Sequence, residues 1–475
     1  MIVSRRNLLQ SAYGVAFSYS SLSLLAGAHA YSANNRLPLK TDPDGLLDLP
    51  EGFSYRLVST SGGEMSDGFF RPGRPDGMAC FAHPQDAGKC ILTRNHENWP
   101  DTTDGSPFGE DDALVSRLSE AQLYDYRAAA APMNGRPFYG GVTTAIYNLQ
   151  EKRLEKDFLT LAGTAGNCAG GATPWGSWLS CEESAVTAPG SSQKNHGFVF
   201  EVPISATRPV DAIPLTDMGR FAHEAAAVDL DTDIVYLTED SLECLFYRFL
   251  PHTRQDLSKG GRLQALALKN QPSADTRNWP RDWGGAGENS IRQGETFDVE
   301  WIDLDHVDSP DGDLAERGFA AGAAHFCRGE GMAYGKRDGE QGSVYFNCTQ
   351  GGAARAGQVW RYTPSPEEGR RGEASDPGKL TLVYESPTSD VLDMCDNLAF
   401  APWGDLILCE DGRGDQYLRG LTPDGNIYDL ARNAHEEQSE FCGACFSPDG
   451  SVLFVNVQEP GFTFAIEGPW RRLRA

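Results

Sequence analysis

Short apolar runs separated by turn residues recur along the chain, and one arrangement of them is repeated six times. Each copy starts with one polar residue followed by two to four small or apolar residues. A turn, a second apolar run and a polar cluster complete the copy. Apolar runs joined by turn residues such as Pro448-Asp449-Gly450 are typical of a β-hairpin. We call the six starting residues the anchor residues: Asp76, Cys168, Glu224, Glu330, Asp396 and Glu440.

Six hairpins, each too small to bury a core alone, predict an all-β fold. They favour a six-bladed β-propeller, in which the blades close into a ring. Because the anchor residues are unevenly spaced, we expect long inter-strand insertions in the first and third blades. The longest insertion is expected at residues 251–313, which are rich in glycine and aspartate.

The first thirty residues have the features of an export signal. Arg5 and Arg6 are followed by a weakly apolar run at residues 12–25, and Ala28-His29-Ala30 is a small-x-small cleavage site. Paired arginines in this setting are typical of signals read by the Tat translocase. We therefore expect residues 1–30 to be a Tat signal peptide cleaved after Ala30. Residues 31–475 would form a single propeller domain, and the mature protein would be periplasmic or secreted.

Composition and charge narrow the class of function. The 475 residues carry 41 Lys and Arg against 67 Asp and Glu, a net charge of −26. Such a chain repels nucleic acid, because the phosphate backbone is itself negative. No later run approaches the ~18 apolar residues of a membrane helix, so we expect no stable membrane span, and we expect a monomer. The eleven cysteines leave two possibilities open: disulfides formed after export, or thiols kept by folding in the cytosol.

The anchor residues are candidates for a metal centre. In a propeller the start of each innermost strand faces the central channel, so five carboxylates and one thiol would converge on one axis. Carboxylates packed so closely repel one another and are driven to protonate, and bound cations relieve that conflict. Oxygen ligands suit Ca²⁺, whereas a thiolate among carboxylates suits a softer ion such as iron.

The polar cluster at the end of each copy offers further ligands or an outer shell. An alternative explanation also stands, in which acidic residues face channel water or cap turns and the cysteine fills space in the core. That six such residues share one register favours the metal centre. The candidates in the second cluster are Glu97, Glu182, Glu239, Gln350 and Glu410.

Arg328 lies two residues before the anchor Glu330. A guanidinium beside a cationic cluster is suited to phosphate, because it presents two parallel donors. A salt bridge to the neighbouring carboxylates is an equally good explanation from charge pairing alone.

At these residues the sequence resembles the PhoX family of alkaline phosphatases over nearly the whole mature chain. The motifs are specific in their order and spacing. They are Leu49-Pro50-Glu51-Gly52-Phe53, Arg74-Pro75-Asp76-Gly77-Met78-Ala79, Asn95-His96-Glu97, Asn167-Cys168-Ala169-Gly170-Gly171, Arg328-Gly329-Glu330-Gly331, Phe446-Ser447-Pro448-Asp449-Gly450 and Phe454-Val455-Asn456-Val457-Gln458.

The resemblance implies a Tat-exported six-bladed propeller that hydrolyses phosphate monoesters at an oxide-bridged cluster of Fe³⁺ and Ca²⁺. It implies that Cys168 is an iron ligand, that Glu182, Glu224 and Glu330 are cluster ligands, and that Arg328 binds phosphate. One departure is visible in the last blade. Where the family commonly has Pro-Arg-Gly before the last anchor, residues 435–439 read His-Glu-Glu-Gln-Ser, which leaves Arg413 or Arg419 as candidate substitutes.

Two other functions remain open on the sequence. The chain could be a calcium-dependent propeller esterase or lactonase, in which case an acyl ester rather than a phosphate ester would turn over. It could also be a non-catalytic binding protein stabilised by metal, as the altered last blade and the 251–313 insertion would allow. The hydrolysis of small phosphate esters is the function that the sequence favours.

Overall fold

Short β-strands form nearly all of the regular structure. The computed structural model describes residues 37–287, 290–337 and 339–474, so the expected signal peptide at 1–30 lies outside the described residues. In chain order, the strands are β1 (Leu39–Lys40), β2 (Leu47–Pro50), β3 (Ser54–Thr60), β4 (Pro75–Ala82), β5 (Lys89–His96), β6 (Gly140–Asn148), β7 (Arg153–Thr164), β8 (Asn167–Ala172), β9 (Ser177–Glu182), β10 (Val199–Pro203), β11 (His223–Val228), β12 (Val235–Glu239), β13 (Tyr247–Pro251), β14 (Gly261–Leu268), β15 (Thr296–Asp303), β16 (Gly329–Gly335), β17 (Ser343–Cys348), β18 (Gln358–Thr363), β19 (Lys379–Glu385), β20 (Cys395–Phe400), β21 (Leu406–Glu410), β22 (Tyr417–Leu421), β23 (Ile427–Asn433), β24 (Phe441–Phe446), β25 (Val452–Val457) and β26 (Phe462–Glu467).

Helices are few and short. The described residues contain an α-helix, α1 (Leu314–Ala320), together with single 3₁₀ turns. No helix in these residues is long and apolar enough to cross a bilayer. The 3₁₀ segments are Glu110–Arg117, Thr216–Met218, Leu257–Lys259, Arg281–Trp283, Glu373–Ser375 and Trp470–Arg474.

The strands form five antiparallel sheets arranged as in a propeller. Their orders are β4-β5-β6-β7, β10-β9-β8, β11-β12-β13-β14-β15-β19-β18-β17-β16, β1-β2-β23-β22-β21-β20 and β24-β25-β26-β3. Strands β4, β8, β11, β16, β20 and β24 contact one another in that order, and β24 returns to β4. This ring surrounds a channel, and we call its members the inner strands. The all-β, propeller-like part of the prediction is confirmed, whereas the number of six blades stays a prediction.

The nine-stranded sheet has an inner strand at each end, β11 and β16, and β15 connects its two halves. Strand β15 pairs with β14 from Val299 to Asp303 and with β19 from Thr296 to Asp298. The expected insertion at 251–313 therefore contains two sheet strands, β14 and β15.

Each inner strand contains a break in its register with the second strand of its hairpin. In β4, Pro75 pairs with His96 and Met78 with Arg94, so that three residues of β4 span two of β5. Such bulges bend the strand and redirect a side chain. The breaks in β4, β8, β11, β16 and β20 contain an anchor residue, and the break in β24 follows Glu440. The anchor residues are thereby turned from the blade towards the axis.

The interior between the sheets is apolar, and the channel is divided along its length. Tyr236, Phe246 and Trp360 belong to the largest buried cluster and are at most 1% exposed. Beyond the anchor residues the channel opens into a cavity of ≈ 410 Å³ lined mainly by small and apolar residues such as Ala169, Ala225 and Ala333. The charged side chains are thus concentrated at one end of the channel.

Candidate metal centre

The anchor residues meet at one end of the channel and form a continuous cluster with three further carboxylates. Four groups of three side chains each place their ligand atoms within 4.8 Å of one another, and consecutive groups share Cys168, Glu224 and Asp396. We call these nine residues the acidic cluster. In the order of the groups, they are Asp76, Glu97, Cys168, Glu183, Glu224, Glu330, Asp396, Asp411 and Glu440.

The three further carboxylates come from equivalent places in the fold. Glu97, Glu183 and Asp411 each follow the last residue of the second strand of a hairpin, at the ends of β5, β9 and β21. The same position after β17 and β25 is held by Thr349, which donates to Glu330 Oε1 at 3.1 Å, and by Gln458, which donates to Glu97 Oε2 at 2.6 Å. This position therefore supplies a second layer of polar groups to the cluster.

Glu182 is the predicted site residue that the structure does not bring into the acidic cluster. It is the last residue of β9, and successive side chains of a strand point to opposite sides, so Glu183 points to the axis and Glu182 away from it. Its Oε1 contacts His196 Nδ1 at 2.6 Å and accepts a hydrogen bond from the backbone N–H of Ala165, while its Oε2 accepts from Gly197. Glu182 thus orders the turn beside the cluster.

Glu239, Gln350 and Glu410, which belonged to the same expected second layer, are also engaged elsewhere. Glu239 accepts from the Tyr247 hydroxyl at 2.7 Å. Glu410 accepts from Arg419 at 2.8 Å, and Gln350 accepts from Arg355 at 2.6 Å. Their neighbours Asp240, Thr349 and Asp411 lie towards the channel instead. For Asp240 and Asp411 this is the residue after the predicted one, as at Glu182, whereas Thr349 precedes Gln350.

Burial and mutual repulsion act together on the carboxylates of the acidic cluster. Burial first, and then Asp396, raise the pKa of Asp76 to about 7, and the same two causes raise the pKa of Asp411 to about 7. Burial raises the pKa of Asp396 to about 6. Burial and then Glu330 hold the pKa of Glu224 well above its ordinary value. Without counter-charge, these groups resist ionisation.

The residues present fit a group of bound cations. Asp76 Oδ1 and Glu224 Oε2 are buried, and among the described residues neither has a hydrogen-bond partner. Unpaired buried oxygens of this kind are costly in a folded protein, and a cation accounts for them. The Cys168 thiol contacts Glu224 Oε1 at 3.1 Å, so the cluster offers one sulfur among carboxylate oxygens.

Arg328 lies at the edge of the acidic cluster, as the sequence predicted. Its Nε and Nη2 donate to the two oxygens of Asp240 at 2.7 and 2.8 Å, and Nη2 lies 3.1 Å from Glu330 Oε1. Burial opposes its charge, but Asp240 and Glu330 raise the pKa of Arg328 and keep it cationic. None of the described residues accepts from its Nη1, so one edge of the guanidinium is open to a ligand.

Arg74 is a second arginine in the same setting, which the sequence analysis missed. It lies two residues before Asp76, as Arg328 does before Glu330. Both have left-handed backbones, with φ of 47° and 48°, and their side chains are 24% and 25% exposed. Arg74 lies 3.0 Å from Glu459 and 3.1 Å from Asp104. Counting residues back from each anchor would have found it.

The two candidate substitutes for the missing arginine differ in their surroundings. Arg419 is buried and its Nε donates to Glu410 Oε1 at 2.8 Å, while its Nη1 pairs with Asp429. Arg413 is exposed.

The structure has all eleven cysteines as thiols. Nine are buried, and Cys80 and Cys445 are half-buried in the apolar part of the channel. Cys168 is the one that reaches the acidic cluster.

The comparisons with known proteins identify a family. The sequence model of one family, described as alkaline phosphatase PhoX, matches residues 35–130 and 139–461. No curated protein matches the sequence.

Among solved structures, the chain is similar to Pseudomonas fluorescens PhoX in complex with vanadate, a transition state analogue. The identity is 17%, the match covers 91% of this chain and 97% of that one, and the TM-score is 0.64. A weaker similarity, at 11% identity and a TM-score of 0.38, is to a gluconolactonase from Xanthomonas campestris, with the same coverage of both chains.

Proposed function

The chain belongs to the alkaline phosphatase PhoX family, and on this premise we propose that it hydrolyses phosphate monoesters at the acidic cluster. The observation that carries the proposal is the cluster itself. Nine side chains of the types that bind metal ions converge at one end of the channel with two unpaired buried oxygens, and a guanidinium lies on their edge. A site that concentrates cations beside an arginine is suited to a substrate with a dianionic head.

We propose iron and calcium as the bound cations. Two groups contain the Cys168 sulfur that favours iron, one with Asp76 and Glu97 and one with Glu183 and Glu224. The groups of Glu224, Glu330 and Asp396, and of Asp396, Asp411 and Glu440, contain only oxygens and suit Ca²⁺. When bound, such cations polarise the phosphoryl group and stabilise the charge that develops in hydrolysis.

The chain's own residues have separate tasks in this proposal. The anchor residues and their second layer hold the cations at fixed places, because the bulges and inner strands position them. Arg328 binds a phosphoryl oxygen through its open Nη1, and Asp240 keeps the guanidinium oriented by a paired hydrogen bond. Arg74 offers a second guanidinium on the opposite side of the ring of inner strands.

Two features of the fold and location belong to the same proposal. The ring of six inner strands supports a six-bladed count, with β15 joining the third and fourth blades into one sheet. The Arg5-Arg6 pair supports export by the Tat translocase to the periplasm or beyond. Replacement of both arginines by lysine tests the proposed export. We expect the full-length precursor of this variant to remain in the cytoplasm.

Hydrolysis of p-nitrophenyl phosphate by the purified, metal-loaded protein tests the proposed activity. We expect release of p-nitrophenol, its loss after treatment with EDTA, and its return when iron and calcium are added together. Elemental analysis of the same sample measures which metals are bound. A fully metallated protein that hydrolyses p-nitrophenyl acetate but no phosphate ester would contradict the proposal.

A further inference from the structure

A second cavity opens beside the acidic cluster. It has a volume of ≈ 550 Å³ and lies between three parts of the chain: residues 99–101, residues 130–132, and residues 183–186 together with Ser191 and Ala222. Its wall is mostly apolar, with Trp99, Pro100, Pro132, Ala185, Val186 and Ala222 contributing to it. We call it the side cavity.

The side cavity adjoins the proposed catalytic site through a shared residue. Glu183 belongs to the wall of the cavity and to the acidic cluster. On the same side, the backbone N–H of Asp240 donates to the carbonyl of Ala222 at 3.0 Å, and the Asp240 carboxylate holds Arg328. A phosphoryl group bound at Arg328 would therefore have this cavity next to it.

Two buried arginines fix the walls of the side cavity. Arg127 is fully buried and donates to the carbonyl of Pro100 at 3.0 Å and to that of Thr102 at 2.6 Å. Arg220 is 2% exposed and donates to the carbonyls of Ala185 at 2.6 Å and Val186 at 3.0 Å. The cavity is thus formed before any ligand arrives, which lowers the entropy lost on binding.

The chemistry of the wall selects the ligand. Trp99 remains 36% exposed, although an aromatic ring of this size gains from being covered. The charged residues of the wall are Asp101 and Glu183, and no lysine or arginine is among the described residues that line it. A second anionic group on the substrate would be repelled there, whereas a neutral aromatic ring would cover Trp99.

We propose that the side cavity binds the alcohol part of the phosphate ester and selects uncharged aromatic alcohols. The inference rests on the proposed function, since it assigns the leaving group of that same reaction. The phosphoryl group lies at the acidic cluster and Arg328, and the ring lies against Trp99. Esters whose alcohol part carries further negative charge, such as nucleoside bisphosphates, fit this wall poorly.

Replacement of Trp99 tests the selectivity. The measured quantity is the ratio of kcat/KM for 1-naphthyl phosphate to kcat/KM for glycerol 2-phosphate. We expect Trp99→Ala to lower this ratio by roughly three- to tenfold, as the loss of an aromatic contact predicts, mainly through a higher KM for the naphthyl ester. Trp99→Phe should restore most of it. Trp283→Ala is the control, because Trp283 is more exposed, at 52%, and does not line the cavity.

A second comparison tests the charge of the wall. Asp101→Asn should raise kcat/KM for 4-carboxyphenyl phosphate relative to phenyl phosphate by about two- to fivefold, because one repulsive charge is removed. Unchanged ratios in both Trp99→Ala and Asp101→Asn would overturn the proposal.

Binding to the metal-free protein separates this inference from the proposed function. Calorimetric titration with 1-naphthol should show saturable binding that weakens at least threefold in Trp99→Ala and not in Trp283→Ala. Such binding in a protein that hydrolyses no phosphate ester would support the cavity and reject the activity. Hydrolysis without any naphthol binding or naphthyl preference would support the activity and reject the cavity.

Discussion

At the scale of single residues, two adjacent glutamates have different tasks because they lie on opposite sides of one strand end. Glu183 points to the channel and joins the acidic cluster. Glu182 contacts His196, which also lies 3.1 Å from Asp125. Burial alone would lower the pKa of His196, but the two carboxylates raise it to about 9, so Glu182 has an internal counter-charge.

Exchange of each glutamate for glutamine should separate these tasks. Glu183→Gln is expected to lower the metal content and the activity, since it removes a ligand charge. Glu182→Gln is expected to lower the free energy of unfolding by about 1–3 kcal/mol, because the buried hydrogen bonds at His196 are weakened. Elemental analysis and denaturant unfolding of both variants measure the two effects. Loss of metal from Glu182→Gln alone would reverse the assignment.

The two arginines before anchor residues should differ from other surface arginines in their effect on phosphate. Arg328→Ala is expected to lower kcat/KM for p-nitrophenyl phosphate by about 10²–10³-fold, the usual cost of removing a donor to transition-state charge. Both changes should also weaken inhibition by inorganic phosphate. The effect of Arg74→Ala on this inhibition should be smaller than that of Arg328→Ala, because Glu459 and Asp104 already share the charge of Arg74. Arg413→Ala is the control, and an equal effect in it would contradict the role of both residues.

The sequence predicted that the anchor residues converge, because a repeated hairpin places equivalent residues at the beginning of equivalent strands. Their role as metal ligands stays a prediction. The sequence did not predict Glu183 or Asp411. Each follows an equally acidic neighbour. Successive side chains of a strand point to opposite sides of the sheet, so an error of one residue in the strand end selects the wrong acidic residue. Arg74 is recognised only when the copies of the repeat are compared with one another, because it precedes Asp76 by two residues as Arg328 precedes Glu330.

At the scale of elements, the inner strands approach one another so closely that side chains are excluded between them. A Cβ on Gly331 would lie 2.6 Å from Asn397 Cα and 2.6 Å from the carbonyl of Asp396. A Cβ on Gly77 would lie 2.5 Å from Ala169 Cα. Both glycines directly follow an anchor residue, so contact between neighbouring inner strands and the spacing of the ligands are coupled.

Gly331→Ala should therefore disturb both stability and metal binding. Overpacking of this kind costs about 1–3 kcal/mol, and the displaced backbone belongs to Glu330 and Asp396. Gly88→Ala is the matched control, because its nearest neighbours are the side-chain tips of Gln150 and Asp86 at 3.1 and 3.2 Å, which can move. Thermal unfolding with and without metal measures the difference, and equal effects of the two changes would argue against the coupling.

The long insertion shows where sequence patterns stop being informative about elements. Residues 251–313, which are rich in glycine and aspartate, were expected to be the longest inter-strand insertion. They include β14 and β15, and β15 pairs with the distant β19 as well as with β14. A strand whose partners are so far along the chain leaves no local signature of its neighbour.

At the scale of the whole molecule, the acidic cluster makes stability depend on pH and on metal. In the metal-free fold, the pKa values of Asp76 and Asp411 are about 7 and that of Asp396 about 6, against 3.8 for an ordinary aspartate. Because the folded-state pKa of these carboxyl groups is above the unfolded-state value, their contribution to the free energy of unfolding is fully present below about pH 3.8. This stability is lost as the pH rises through the folded-state pKa.

We therefore expect the metal-free protein to lose stability between about pH 4 and pH 7. The increase in Tm caused by added iron and calcium should be larger at pH 8 than at pH 5, because binding ions supply the missing counter-charge. Thermal unfolding of the EDTA-treated protein at both pH values measures this. The double change of Asp76→Asn and Asp411→Asn should flatten the dependence, and a metal-free protein equally stable at both values would contradict it.

The last sheet joins the beginning and the end of the described chain. Strand β3 pairs with β26, from Ser54 opposite Glu467 to Thr60 opposite Phe462, and Ser61 Oγ lies 3.4 Å from the carbonyl of Gly461, 400 residues later in sequence. During synthesis on the ribosome, β3 therefore remains unpaired with β26 until almost all of the protein has been made. Its unpaired edge is open to strands of other nascent chains throughout that interval. A chaperone that covers residues 54–60 would raise the yield of native enzyme without altering the rate of catalysis.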